Sequence, residues 1–219
     1  MRLKMDERNE KYLKVKEEQA RQAREQGTAG THPAGADRLP PGQYLTRGFP
    51  VLDLGIRPDF DPQAWTLAVT GEVERPARYT WQELQELPSV DLVADFHCVT
   101  RWSKYDVHWR GVPFRALAEA VGVRPSTTHV VAACGDRYTT NLPLEAMMDD
   151  DVLIAYELEG KPIPLEHGGP VRTLVPKRYA WKSAKFLREL HFLDHDEPGF
   201  WETRGYHNDA DPWREERFG

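Results

Sequence analysis

From Tyr44 onward the apolar residues of this chain come in short runs cut off by Gly, Pro, Asn and Asp, a rhythm that restricts it to a fold of many short strands. The runs at 65–70, 92–97, 129–133, 138–142, 152–158, 171–175 and 186–192 read as strands. They do not alternate with long amphipathic helices, so neither a doubly wound parallel sheet nor an α/β barrel is expected. No GxGxxG or GxxxxGK[ST] segment occurs either, which removes the nucleotide-cradle readings. Two short helices carry their own stop signals. Thr80-x-x-Glu83 is a capping box for a helix that must end before Pro88. Pro113 as the first helical residue and Gly122 just past the end delimit another over 114–121. Glu159-Gly160 reads as a tight turn between 152–158 and 161–165.

Ahead of this region, residues 1–26 hold eight Lys/Arg and six Asp/Glu, with Glu7/Lys11, Glu10/Lys14 and Glu17/Arg21 each four apart in the favourable order. A helix polar almost all round is expected there, a solvated appendage with little to bury. Residues 27–43, with four Gly and three Pro, read as a linker or an extended arm, which places the folded domain at 44–219. The net charge of −6 gives no electrostatic reason to bind nucleic acid. No apolar stretch approaches the ~18 residues of a membrane-spanning helix. The N-terminus lacks the apolar centre of a secretory signal, so a cytoplasmic location is expected.

Two cysteines are too few for a disulfide framework, and each is read singly. Cys98 lies in Asp95-Phe96-His97-Cys98-Val99-Thr100-Arg101-Trp102-Ser103, at the expected end of a strand, where Arg101 and His97 would favour a reactive, metal-binding thiolate. A small buried apolar residue is the other reading of the same thiol. Cys134, with no basic neighbour, reads as core filler. His191-x-x-x-His195 has a zinc-ligand spacing but no third or fourth partner nearby. His167-Gly168-Gly169-Pro170-Val171-Arg172 leads into a stretch with five Lys/Arg between Arg172 and Lys185. Such a segment can hold a phosphate through an Arg fork, a Lys charge and a Ser hydroxyl, and it can equally be a solvated basic turn.

Taken in order, four stretches resemble the sulfite-oxidase-type molybdopterin-dependent oxidoreductases. They are Tyr44-Leu45-Thr46-Arg47-Gly48-Phe49-Pro50-Val51, Cys98-Val99-Thr100-Arg101-Trp102-Ser103, Trp109-Arg110-Gly111-Val112-Pro113-Phe114, and His167 through Arg172 continuing to Ser183-Ala184-Lys185. The resemblance implies an α+β, β-rich molybdopterin-binding fold with short helices. It implies Cys98 as the protein ligand of molybdenum, and His167, Arg172, Ser183, Lys185, Arg47 and Phe49 as the residues that hold the pterin and its phosphate. Arg47 and Arg101 become the candidate substrate contacts, with Trp102 as a wall. With Arg101 three residues and Trp102 four residues after the cysteine, the loop resembles the methionine sulfoxide reductase branch more than the sulfite oxidases.

The reaction implied is two-electron oxygen-atom transfer on a small oxyanion or S-oxide. The cofactor set is molybdenum-molybdopterin without haem, flavin or NAD, because no CxxCH, cysteine cluster or dinucleotide fingerprint occurs. Electrons would then pass to or from a separate partner. A non-catalytic binding module that keeps the fold without active metal is the rival.

Overall fold

The computed structural model describes residues 38–219 together with Lys14. The charged helix expected over 1–26 lies, apart from Lys14, outside the described residues, as does the first part of the expected linker, 27–37. In chain order the elements are β1 (Tyr44–Leu45), β2 (Thr66–Gly71), β3 (Ala77–Thr80), α1 (Trp81–Glu86), β4 (Val90–His97), β5 (Trp102–Pro113), α2 (Phe114–Val121), β6 (His129–Cys134), β7 (Thr139–Pro143), α3 (Leu144–Met147), β8 (Leu153–Leu158), β9 (Lys161–Pro162), β10 (Arg172–Leu174) and β11 (Leu187–Leu193). Single 3-10 turns follow at Leu165–His167, Ala180–Lys182 and Glu202–Arg204. This is the expected α+β, β-rich architecture with short helices.

The strands form two sheets. One runs β3-β2-β11-β6-β7, with β2 and β11 parallel. The other runs β1-β5-β8-β10, with β4 also on β5 and β9 also on β8. All seven expected runs are strands, to within two residues at either end. The segment after the Glu159-Gly160 turn is a strand only over Lys161–Pro162, since Pro162 and Pro164 have no N–H to give a ladder. No expectation covered β5, at twelve residues the longest strand. Its register slips at Ala94/Phe96 against β4 and at Arg110/Gly111 against β8, and Asp106 takes a positive φ, so the period of two is broken along its length. At the second slip a Cβ on Gly111 would lie 2.4 Å from the Ile154 carbonyl oxygen. Gly111→Ala is therefore expected to lower stability by about 1–3 kcal/mol, read as a shift of the urea midpoint; an unchanged midpoint would show that β5 and β8 separate at no cost.

The helices form where their caps predicted. In α1 the Thr80 hydroxyl accepts from Glu83 N while Glu83 Oε2 accepts from Thr80 N, which completes the capping box. In α2 the buried residues Phe114, Leu117, Ala118 and Val121 share one face, and Phe114 stacks on Phe192 of β11 at 5.8 Å. Gly122 ends the helix in the left-handed conformation, while Pro113 is its N-cap, one residue earlier than expected. These residues belong to the larger core. A smaller cluster of Phe96, Trp102, Val107, Trp109 and Leu153 lies along the β4–β5–β8 side, with Cys98 packed in it.

Residues 38–43, read from sequence as linker, pack on the domain. Pro40 and Pro41 are buried, and Arg38 donates to Asp95 at 2.6 and 2.7 Å and also to Asp106. Among the described residues no helix is long and apolar enough to cross a membrane.

Candidate active site

β4 ends at His97, and the chain reverses through a tight loop into β5. Cys98 N donates to Trp102 O at 2.9 Å, Arg101 N donates to Cys98 O at 3.0 Å, and Arg101 takes a left-handed φ of 75° to close the turn. Cys98 is 6% exposed, a thiol rather than half of a disulfide, with Sγ 3.2 Å from Thr100 Oγ1. β1 lies parallel to the start of β5, with Tyr44 N donating to Arg101 O and Thr46 N to Ser103 O, both at 2.9 Å. The first two resemblance motifs are thereby adjacent in space. His97 does not serve as the cation expected beside the thiol. Its ring is buried against Ser103 Oγ (2.8 Å), and burial pushes its pKa down to about 4, so it is neutral at ordinary pH.

The basic segment forms the opposite wall. Arg172, 2% exposed on β10, donates through Nη1 to His167 O and through Nη2 to Ser183 O, both at 2.8 Å, and its guanidinium lies over the rings of Phe96 and Trp109. The fork expected to grip a phosphate is thus largely engaged with backbone carbonyls, where it ties the His167 turn to the Ser183 turn. Lys185 Nζ donates to Leu52 O at 2.9 Å and Glu166 O at 2.7 Å. Gly168 permits this: a Cβ there would meet Lys185 Cγ at 2.6 Å, and its φ is +100°. Burial, then the Arg172 charge, pushes Lys185 down to about 8, and burial pushes Arg172 down to about 10. Among the described residues, neither cation makes an ion pair with a carboxylate. The Ser183 hydroxyl oxygen accepts from Val175 N at 2.9 Å. His167, its pKa lowered by burial and then by Lys185, faces Phe49 with ring centroids 4.6 Å apart.

These two walls bound one cleft, about 880 Å³ of non-protein space with the open solvent at its mouth included. Cys98, Trp102, Phe49, His167, Arg172, Ser183 and Lys185 all line it. Arg47 and Arg101 do not: both are exposed and lie outside the lining. The sequence reading also missed part of the wall. Asp136 is buried in the turn after β6, where burial, then Asp53, pushes its carboxyl up to about 6. Tyr138, Trp181, Trp201 and Tyr206 complete an aromatic side, with the Tyr138 hydroxyl donating to Trp181 O at 2.6 Å. The Gly135-Asp136 turn was the local hint of the acid, but nothing local indicates that it faces Lys185.

Elsewhere, Cys134 packs against the larger core, and burial holds its thiol well above the usual range. His191 bonds to Thr70 and His195 to Asp194, and no group of three metal-ligating residues occurs among the described residues. The zinc spacing therefore carries no site here.

Comparison with known proteins agrees with this geometry. The family described as an oxidoreductase molybdopterin binding domain matches residues 54–201. The uncharacterized oxidoreductase YuiH of Bacillus subtilis (strain 168) is 41% identical over 83% of this chain and 92% of its own length. The protein-methionine-sulfoxide reductase catalytic subunit MsrP of Gluconobacter oxydans (strain 621H) is 29% identical over 65% of this chain, which spans about half (51%) of that relative. Among solved structures the sulfane dehydrogenase SoxCD of Paracoccus pantotrophus superposes with a TM-score of 0.59 at 23% identity, covering 68% of this chain and 42% of that one, a likeness of fold.

Proposed function

The chain belongs to the oxidoreductases with a molybdopterin-binding domain, and on that premise we propose that its cleft holds a molybdenum–pterin cofactor and carries out two-electron oxygen-atom transfer on a small S-oxide or oxyanion. One observation carries the reading: a soft thiol, Cys98, shares a cleft with two desolvated cations, Arg172 and Lys185, that among the described residues form no ion pair with a carboxylate. Removing a charge from water without an opposite charge costs several kcal/mol. A cleft that keeps two such charges fits an anionic occupant, and a phosphate-bearing pterin supplies that charge.

When bound, the cofactor supplies a metal that gains or loses two electrons. The chain's residues do the rest. Cys98 offers a thiolate, the donor type that soft metals select. Arg172 and Lys185 hold the phosphate with charge and with the N–H groups left over from the carbonyls, and the Ser183 O–H is the side of that hydroxyl available to donate. Phe49 and His167 give the pterin a flat face. Trp102, Trp181 and Tyr138 exclude water, and Asp136 keeps a proton on its carboxyl below about pH 6. In the reductive direction an S-oxide takes up two electrons and two protons and yields a sulfide and water; in the oxidative direction sulfite and water yield sulfate, two protons and two electrons. The name of the methionine-sulfoxide reductase relative supports the first direction. The electrons come from or go to a separate partner protein. A non-catalytic module could hold its turns together with neutral donors, without the desolvation that two buried charges cost.

The test is molybdenum content and a visible spectrum of the purified protein, followed by turnover with reduced dyes; metal-free protein, or efficient turnover on NAD(P)H alone, would count against the proposal. Arg47 and Arg101 flank the thiol loop outside the cleft, where they can steer a charged substrate. Arg47→Ala and Arg101→Asn, the latter chosen because Asn tolerates the left-handed backbone, are expected to raise KM about three- to tenfold for an anionic substrate and little for a neutral sulfoxide, the scale of one screened surface charge. Equal effects on both substrates would remove the two arginines from substrate binding.

A further inference from the structure

The family match ends at residue 201, yet the loop that carries Cys98 is gripped from outside the matched range at both ends of the described chain. Gln43 Nε2 donates to Cys98 O at 3.0 Å. Arg217 Nη1 donates to the next carbonyl, Val99 O, at 2.8 Å, and its Nη2 donates to Pro41 O at 3.2 Å, so one guanidinium joins the thiol loop to both terminal segments. Arg217 is 6% exposed and sits 4.8 Å over the ring of Tyr179, which stacks on the cleft-lining Trp181 at 5.4 Å. The tail that delivers it is itself anchored. Tyr206 bridges to Phe218, His207 N donates to Arg217 O, and the Trp213 ring meets His97 edge-on at 5.0 Å.

This arrangement does more than close the surface. Arg101 of the loop itself is exposed, whereas Arg217 is a buried guanidinium hydrogen-bonded to the carbonyl of the residue that follows Cys98. Donors to adjacent carbonyls fix the orientation of the peptide planes that direct the Cys98 side chain. A charge in a poorly solvated setting acts over several ångströms with little screening. Groups one shell away from a metal's ligands set both ligand geometry and the metal's potential.

We propose that Arg217 is a positioning residue for the metal site: it fixes the Val99 carbonyl, and with it the direction of the Cys98 sulfur, and its charge favours the reduced, more electron-rich state of the metal held there. The proposal rests on Cys98 being the metal's protein ligand. Removal of the cation then lowers the metal's reduction potential, while removal of the fork alone loosens the loop.

The experiment compares full-length wild type with Arg217→Lys, which keeps the charge and loses the fork, and Arg217→Gln, which loses the charge. Hydrogen–deuterium exchange at residues 98–102, measured with and without cofactor, reads the loop; redox titration and the electron paramagnetic resonance signal of the half-reduced metal read the site. Both variants are expected to exchange faster across 98–102 and to show an altered resonance signal. The potential should fall in Arg217→Gln and stay near wild type in Arg217→Lys. Turnover in Arg217→Gln should drop about tenfold, the lower end for a residue behind a metal ligand, with KM little changed. Wild-type exchange and potential in a folded Arg217→Gln would overturn the proposal. If that variant does not fold, Arg217→Lys decides it: faster loop exchange with an altered resonance signal supports the proposal, and a wild-type loop and signal overturn it. Cys98→Ser separates the underlying assumption, since a wild-type metal signal in that variant removes the ligand reading itself, whatever Arg217 does.

Discussion

Cys98→Ser is expected to purify as a folded protein with less than about a tenth of the wild-type molybdenum and no measurable turnover, because a hard hydroxyl is a poor substitute for a soft thiolate at such a metal. The fold should survive because the side chain sits where the smaller cluster meets the cleft, and Ser fills nearly the same volume. A serine hydroxyl can also take over the contact with Thr100 Oγ1. Cys134→Ser is the control: its thiol packs against the larger core and is not part of the cleft lining, so metal content should be unchanged. Metal analysis, turnover and a thermal melt on the two variants check this. Equal metal and activity in Cys98→Ser and wild type would dismiss the proposed function.

The second large effect is expected at the cationic wall, where two opposing contributions must be weighed. Arg172→Met deletes a buried charge, which by itself relieves several kcal/mol of desolvation. It also leaves the carbonyls of His167 and Ser183 without their donor, at about 1–3 kcal/mol each. These are of similar size and opposite sign, so cofactor-free Arg172→Met should melt close to wild type. Cofactor retention has no such offset. Loss of a charge-assisted contact worth about 1.5–3 kcal/mol predicts a ten- to hundredfold weaker hold on the pterin. Full pterin occupancy in this variant would place the phosphate elsewhere.

Lys185 adds a pH signature to the same wall. With its pKa pushed down to about 8, the lysine must pick up a proton to meet an anion above that pH, so pterin affinity should fall by up to about tenfold per pH unit there. The sign for the fold is opposite. Between about 8 and the ordinary lysine value the folded state is neutral at this position while the unfolded state is charged. Unfolding then takes up a proton, and this group's contribution to the stability of the cofactor-free protein rises with pH across that window. Lys185→Arg, always charged, should flatten both slopes; persistence of either slope in that variant would assign it to another group.

Much of this site was readable along the chain, for a definite reason. Strand runs, the Thr80–Glu83 capping box, the Gly122 stop and the Glu159-Gly160 turn are encoded by residues a few positions apart, and all of them are present. The order of the motifs also brought seven of nine expected residues to one cleft. β5 was not readable because the extra residue it carries around Tyr105–Asp106, opposite Asp95 of β4, breaks the alternation that marks a strand, and that bulge exists only through pairing with β4.

Charge state and direction depend instead on what packs around a group. Nothing near His97 in sequence indicates that burial makes it neutral, nor does the text around Arg172 reveal that its fork closes on two carbonyls. Arg47 and Arg101 lie within the correct motifs yet are exposed and outside the cleft lining, while Asp136 and Arg217 come from segments with no motif at all and meet the site through folding. The backbone pattern is a local property, set by side-chain period and caps. Desolvation and side-chain aim are set by neighbours distant in sequence, such as Arg217 at the thiol loop, and so arise only when the sheets and both terminal segments close around the cysteine.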